Sequence, residues 1–144
     1  YTLSDDYQYL FYADNHTSNE IIFPLIADGV NAQNWGNTTF LVNAAIGGNM
    51  ESEDYGTGEN WAGLRTTSAL VEKFQDVTGN LDKRAIFFTD GQSLEIDDIG
   101  EFTDGYAVPK YKNLNQDGTS GSNITHADID YPMFRLGDAY LMYA

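Results

Sequence analysis

The stretch DIDYPMFRLGDAYLMYA, Asp128 to Ala144, decides how this chain is read. Met133, Leu136, Tyr140 and Tyr143 recur at three- and four-residue steps, with Phe134 and Leu141 covering the adjacent strip, so the spacing predicts a helix over residues 130–144. Pro132 falls in the first turn, where a missing N–H costs nothing, and Asp130 just ahead is placed to cap the helix or favour its positive end. Only Arg135, Gly137 and Asp138 interrupt the apolar surface, so burial on two or more sides is expected. No Gly, Asn or basic residue closes the helix after Met142, and the pattern reads as a piece cut inside a longer helical array.

Upstream, NEIIFPLIADG (Asn19 to Gly29) is an apolar strand followed by Asp-Gly, and GNTTFLV (Gly36 to Val42) is a Gly-Thr-aromatic run. WAGLRTTSALVEKF (Trp61 to Phe74) turns through Gly-x-Arg-x-Thr into a helix, and DGYAVPKYKNL (Asp104 to Leu114) carries Val-x-Lys-Tyr. With the terminal YPMFRLGDAYLMYA, these five segments resemble, in order, the SusD/RagB family of surface glycan-binding lipoproteins. Two parts of the family pattern have no counterpart here, the lipidated N-terminal Cys and most of the helical-repeat region. The resemblance implies an α+β, loop-rich fold of short helices and short strands, with residues 1–144 a single partial domain from the C-terminal half. On that reading the chain ends in a truncated helix of a tetratricopeptide-like array. The resemblance further implies non-catalytic capture of extracellular oligosaccharide or polysaccharide and delivery to a SusC-like TonB-dependent transporter. The implied location is the extracellular face of the outer membrane, reached through a lipid anchor outside this sequence. The alternatives are a structural scaffold segment, a peptide-binding lid subunit, or a glycoside hydrolase.

Composition is compatible with that reading without requiring it. The 144 residues, 42% hydrophobic, suffice for one domain that buries about 70% of its unfolded surface. No apolar run is long enough for a transmembrane helix. No segment reads as a signal peptide, which in a piece of a chain carries no address. The absence of Cys removes disulfides and thiolate metal sites. A net charge of −15 opposes nucleic-acid backbones and anionic lipid head groups, whereas neutral sugars meet no such repulsion.

Local signals predict a short helix from Ser4 to Tyr12, a strand from Ile21 to Ile26 held at an edge by Pro24, and a second strand from Thr38 to Ala44. Gly47 to Gly63 is expected to be a long loop, Ser68 to Asp76 a helix, and Arg84 to Thr89 and Tyr106 to Tyr111 further strands. Asn115 to Asn123 reads as a polar loop.

Aromatic rings in polar settings are the candidate binding groups, because sugar C–H faces stack on flat rings while hydroxyls seek planar polar partners. Trp35 follows Asn34, and Trp61 follows Asn60, both in Gly/Asn-rich surroundings where a strand core is a poor explanation for an indole. Each Trp is read as a stacking platform with an adjacent amide, against the alternative of a plug at the edge of the core. Tyr12 and Tyr55 are weaker versions of the same pattern, and Tyr106 weaker still; core packing is favoured for each tyrosine. Arg65 is expected to tie the Gly-rich loop through carbonyl or carboxylate contacts.

No cofactor or metal is expected. Asn113-x-Asn115-x-Asp117-Gly118 imitates the start of a calcium loop, but Ile124 stands where the bidentate Glu belongs. Asp128 and Asp130 share one side of an extended segment and are read as a helix cap. His16 and His126 are isolated, without zinc spacing. Catalytic motifs are absent, so no catalytic residue is assigned. A hydrolase needs two carboxylates across a scissile bond, and Glu51, Glu53, Asp54 and Glu59 crowd one loop near Trp61, a poor support for catalytic geometry.

Overall fold

A computed structural model describes residues 1–144. The chain is α+β, built from short elements joined by long ordered loops. Of its 58 main-chain hydrogen bonds, 41 lie outside the helices and strands, so turns and side-chain amides carry most of the architecture.

Strand β1 (Ile21–Leu25) pairs antiparallel with β4 (Tyr131–Arg135), placing Pro24 opposite Pro132 in a two-stranded ribbon. Neither proline can donate to a ladder, which a ribbon with two free edges tolerates. The helix expected over residues 130–144 is therefore half strand. Tyr131 and Phe134 favour extended backbone and pair with β1, and only Leu136–Tyr143 forms helix α3. The Asp138 carboxylate accepts the Arg135 N–H at 3.2 Å, and the Glu20 carbonyl accepts the Leu136 N–H at 2.9 Å, which fixes the switch point. Asp128 and Asp130 do not cap this helix. Asp128 Oδ1 accepts the Gly29 N–H at 2.7 Å and Asp130 Oδ1 accepts the Ala27 N–H at 3.0 Å, so both staple the turn after β1.

The Thr38 to Ala44 strand is corrected to helix α1 (Asn37–Asn43). Thr38, Thr39, Val42 and Asn43 occupy one buried face at helical spacing, and this burial overrides the β preference of the TTFLV run. The Thr38 hydroxyl donates to the Ile129 carbonyl at 2.6 Å, and the Thr39 hydroxyl accepts the Ala127 N–H at 3.0 Å. The N-terminal helix shrinks to a 3₁₀ turn at Gln8–Phe11, with Asp6 rather than Ser4 accepting the Gln8 N–H. Helix α2 is confined to Ser68–Val71. Strand β2 (Arg65–Thr66) pairs with β3 (Tyr106–Ala107), which stops short of Pro109. No strand forms over Arg84 to Thr89. The Asp82 carboxylate accepts the Arg84 N–H and pulls the chain into turns, leaving only Phe88 bridged to Ala107.

Two small cores result. Ile46, Met50, Tyr55, Phe102 and Ala107 form one, and Val42, Ala127 and Ile129 form the other with Tyr111 against it. Buried amides join the loops around them: Asn15 Nδ2 donates to the Leu10 and Asp130 carbonyls, and Asn113 Nδ2 to those of Gly56 and Asn123. Arg65 donates to the carbonyls of Asp104 and Ile99, tying down the 99–104 loop. Helix α3 fully buries none of its residues; Leu136 to Ala139 are half-buried, and the apolar side chains from Tyr140 to Tyr143 are exposed, with Leu141 78% and Tyr143 93% exposed. No helix is long and apolar enough to cross a membrane.

Candidate functional site

Helix α1 ends with carbonyls that lack intrahelical partners, and the segment beginning at Trp61 supplies them. The Trp61 N–H donates to the Asn43 carbonyl at 3.0 Å, Ala62 N–H to Ile46 at 2.8 Å, and Gly63 N–H to Ala44 at 2.8 Å. This docks the Trp61 indole beside the outer face of α1, where Phe40 stands 43% exposed. Ahead of α1, Asp28 closes a tight turn, its Oδ1 accepting the N–H groups of Val30 and Asn31 and its Oδ2 the Asn31 amide. Those donors, the Asn31 side chain first, hold the Asp28 carboxyl below its usual range. The chain leaving this turn carries Trp35, which is 59% exposed.

Four rings meet there. Trp35 and Trp61 lie 5.9 Å apart between centroids and tilted by 40°. Phe40 is 6.3 Å from Trp61, and His126 is 4.6 Å from Trp35. His126 is set by a turn in which Asn123 Oδ1 accepts the N–H groups of Thr125 and His126, and its Nδ1 is closed off without a partner. Trp61 Nε1 donates to Glu59 Oε2 at 3.1 Å. The indole's polar edge is thereby satisfied and the cluster presents ring surface outward. Asn34 and Asn60 are exposed beside the two indoles.

Asn43 joins the pieces. Its Nδ2 donates to the Thr125 carbonyl at 3.2 Å, its Oδ1 accepts the Thr57 hydroxyl at 2.6 Å, and its own carbonyl holds Trp61. One buried amide on α1 thus locates the Glu59–Trp61 segment and the His126 turn together.

The tyrosines lie elsewhere. Tyr55, a weaker stacking candidate for which core packing is the favoured reading, is 7% exposed in the first core beneath the Lys112 ammonium, and burial pushes its hydroxyl up in pKa. It presents no face to solvent because the 3₁₀ turn at Ser52–Tyr55 rolls it inward. Tyr12 is half-buried against Tyr9, paired through a bridge with Lys112, and its hydroxyl is likewise raised, by burial and then by Asp6. Tyr106 lies in β3. Phe40 and His126 carry no binding signal in the sequence. Phe40 becomes legible only once residues 37–43 are read as helix, which turns it opposite the buried threonines.

A cleft of about 800 Å³ opens between the 26–31 and 115–130 segments, with His16, Ile26, Val30 and Asp130 among its walls, and contains none of the four rings. The rings form a surface rather than a pocket, a shape suited to an extended chain lying across it. No three His, Asp or Glu side chains converge on a metal-sized site. Glu51, Glu53 and Asp54 are exposed around the 3₁₀ turn, apart from Glu59 at the indole.

No family model matches the chain. Among curated proteins it is similar to the starch-binding protein SusD of Bacteroides thetaiotaomicron, at 30% identity over an alignment 188 positions long, gaps included. The alignment takes in 98% of this chain and 34% of that protein, so the chain spans about a third of its length.

Proposed function

This chain is a SusD-like family member, and from that premise we propose that it binds extracellular oligosaccharide or polysaccharide without catalysing a reaction. The observation that carries the reading is the convergence of exposed Trp35 and Phe40 with half-buried Trp61 and His126 in one ring cluster, in a chain similar to a starch-binding protein. Tilted rings about 6 Å apart match a curved ligand that offers one sugar face after another, and each added face multiplies the gain through effective concentration. Asn34 and Asn60 supply amides for the hydroxyls at the rim.

The finer proposal is that the parent protein sits lipid-anchored on the extracellular face of the outer membrane and delivers its glycan to a SusC-like TonB-dependent transporter. The uncovered apolar side of β1, β4 and α3 supports a companion proposal, that this side packs against the helices of a tetratricopeptide-like array. A glycan panel followed by tryptophan quenching and calorimetry tests the binding role. Saturable binding that is lost in Trp35→Ala or Trp61→Ala supports it, and binding indifferent to both substitutions removes it.

A further inference from the structure

We infer that the ring surface accepts uncharged saccharides and turns away uronate- or sulfate-bearing ones, and that Glu59 sets this preference. The inference rests on the glycan reading above.

Glu59 is held at the rings from two directions. Its Oε2 accepts Trp61 Nε1–H at 3.1 Å, and its main-chain N–H donates to the Thr57 hydroxyl oxygen at 3.0 Å. Thr57 is buried, and its hydroxyl donates in turn to Asn43 Oδ1 in the core. A carboxylate is therefore fixed at the edge of an indole rather than swinging in solvent, and its Oε1 has no protein donor. That oxygen is an acceptor for a ligand hydroxyl, with the added strength of an ionised acceptor.

The same carboxylate repels an anionic sugar, and no Arg or Lys at the rings offsets it. Arg65, the cation nearest to Trp61 in sequence, is engaged by the Asp104, Gly63 and Ile99 carbonyls and the Phe102 ring. Lys110 lies over Phe11 and Lys112 over Tyr55, while Arg84 pairs with Asp82 and Arg135 with Asp138. Lys73 and Lys83 make no hydrogen bond, ion pair or cation–π contact with the rings. The background charge of −15 adds to the local repulsion. Recognition of uronates or sulfates uses Arg forks or Lys, and none stands at this surface.

The test uses a matched pair of ligands: the neutral oligosaccharide that gives saturable binding in the panel, and the same oligosaccharide oxidised at C6 to the uronate. At about 10 mM ionic strength the native chain is expected to bind the neutral member about 3- to 10-fold more tightly, the gap closing as salt approaches about 0.5 M. Glu59→Gln keeps an oxygen for the indole N–H and removes the charge, so the uronate-to-neutral affinity ratio should rise about 3- to 10-fold at low salt. The salt dependence of the native chain provides a reading independent of how that variant folds. Equal binding of the pair, a preference for the uronate, or an unchanged ratio in folded Glu59→Gln would overturn the inference and leave glycan binding intact. Absence of binding by either member in every variant would remove the glycan reading, and this inference with it.

Discussion

Asn43→Ala is expected to damage stability and the ring surface together, because one amide serves both. Asn43 is 2% exposed, and truncation removes two side-chain hydrogen bonds, to the Thr125 carbonyl at 3.2 Å and from the Thr57 hydroxyl at 2.6 Å. The Thr57 hydroxyl has a second acceptor in the Ile124 carbonyl at 3.0 Å, so its loss is partly recovered. The Thr125 carbonyl loses its amide donor, and a cavity replaces the carboxamide. Counting about 0.5–1.5 kcal/mol for the recoverable bond and about 1–3 kcal/mol for the abandoned carbonyl, the cost is about 1.5–4.5 kcal/mol. A domain of this size has about 5–15 kcal/mol in total, and at a urea slope of about 2 kcal/mol per molar the midpoint should fall by about 1–2 M. Because Asn43 also positions the Thr57 anchor of Glu59 and the turn before His126, the surviving folded fraction should bind glycan more weakly than the native chain. Urea titration followed by tryptophan emission, with calorimetry below the transition, measures both effects. A midpoint shift under about 0.3 M would refute the claim that this amide holds the three segments together.

Two further outcomes follow from the burial of particular groups. Tyr12, Tyr55 and Tyr111 all have hydroxyls raised in pKa chiefly by burial, so above about pH 10 the unfolded state releases protons that the folded state keeps. Their contribution to stability is complete below that pH and is lost as the pH climbs toward the folded values. Lys112, lowered by burial, offsets part of that slope. Absorbance titration at 295 nm should therefore show a late-titrating set of phenols whose ionisation coincides with unfolding; ten tyrosines ionising together near pH 10 would contradict it. On the uncovered apolar side, Leu141→Glu should change stability by less than about 0.5 kcal/mol, since the side chain has no cover to lose. It should also reduce any concentration-dependent association seen by sedimentation velocity, and a strongly destabilised variant would show that α3 is packed after all.

The sequence was most legible where local chemistry and tertiary context agree. IIFPL reads as an edge strand because a short apolar run is interrupted by a proline, and it pairs in the two-stranded ribbon. The terminal stretch was harder. A proline followed by apolar residues fits both the first turn of a helix and an edge strand, and the choice is made by β1, far away in the chain, whose backbone supplies the pairing for Tyr131–Arg135. TTFLV misleads for the opposite reason, since its β preference is intrinsic whereas the burial of Thr38, Thr39, Val42 and Asn43 is a property of the finished fold. The two indoles stand out in sequence as large rings among Gly and Asn. Their contact does not, because it depends on how the end of α1 recruits N–H groups from the Trp61 segment. Tyr55 packs in the core as favoured for it, the 3₁₀ turn leaving its acidic neighbours in solvent while rolling the ring inward.

The central claim is that the Trp35–Trp61 surface is where the chain meets a glycan. It is tested most directly by calorimetric titration of the native chain and Trp35→Ala with the same neutral polysaccharide. Trp35 is largely exposed, so its removal should cost less than about 1 kcal/mol of stability. The account predicts saturable binding by the native chain and at least about a tenfold loss in the variant, equivalent to about 1.4 kcal/mol, with the urea midpoint lowered by less than about 0.5 M. Equal affinity in the two proteins would contradict it.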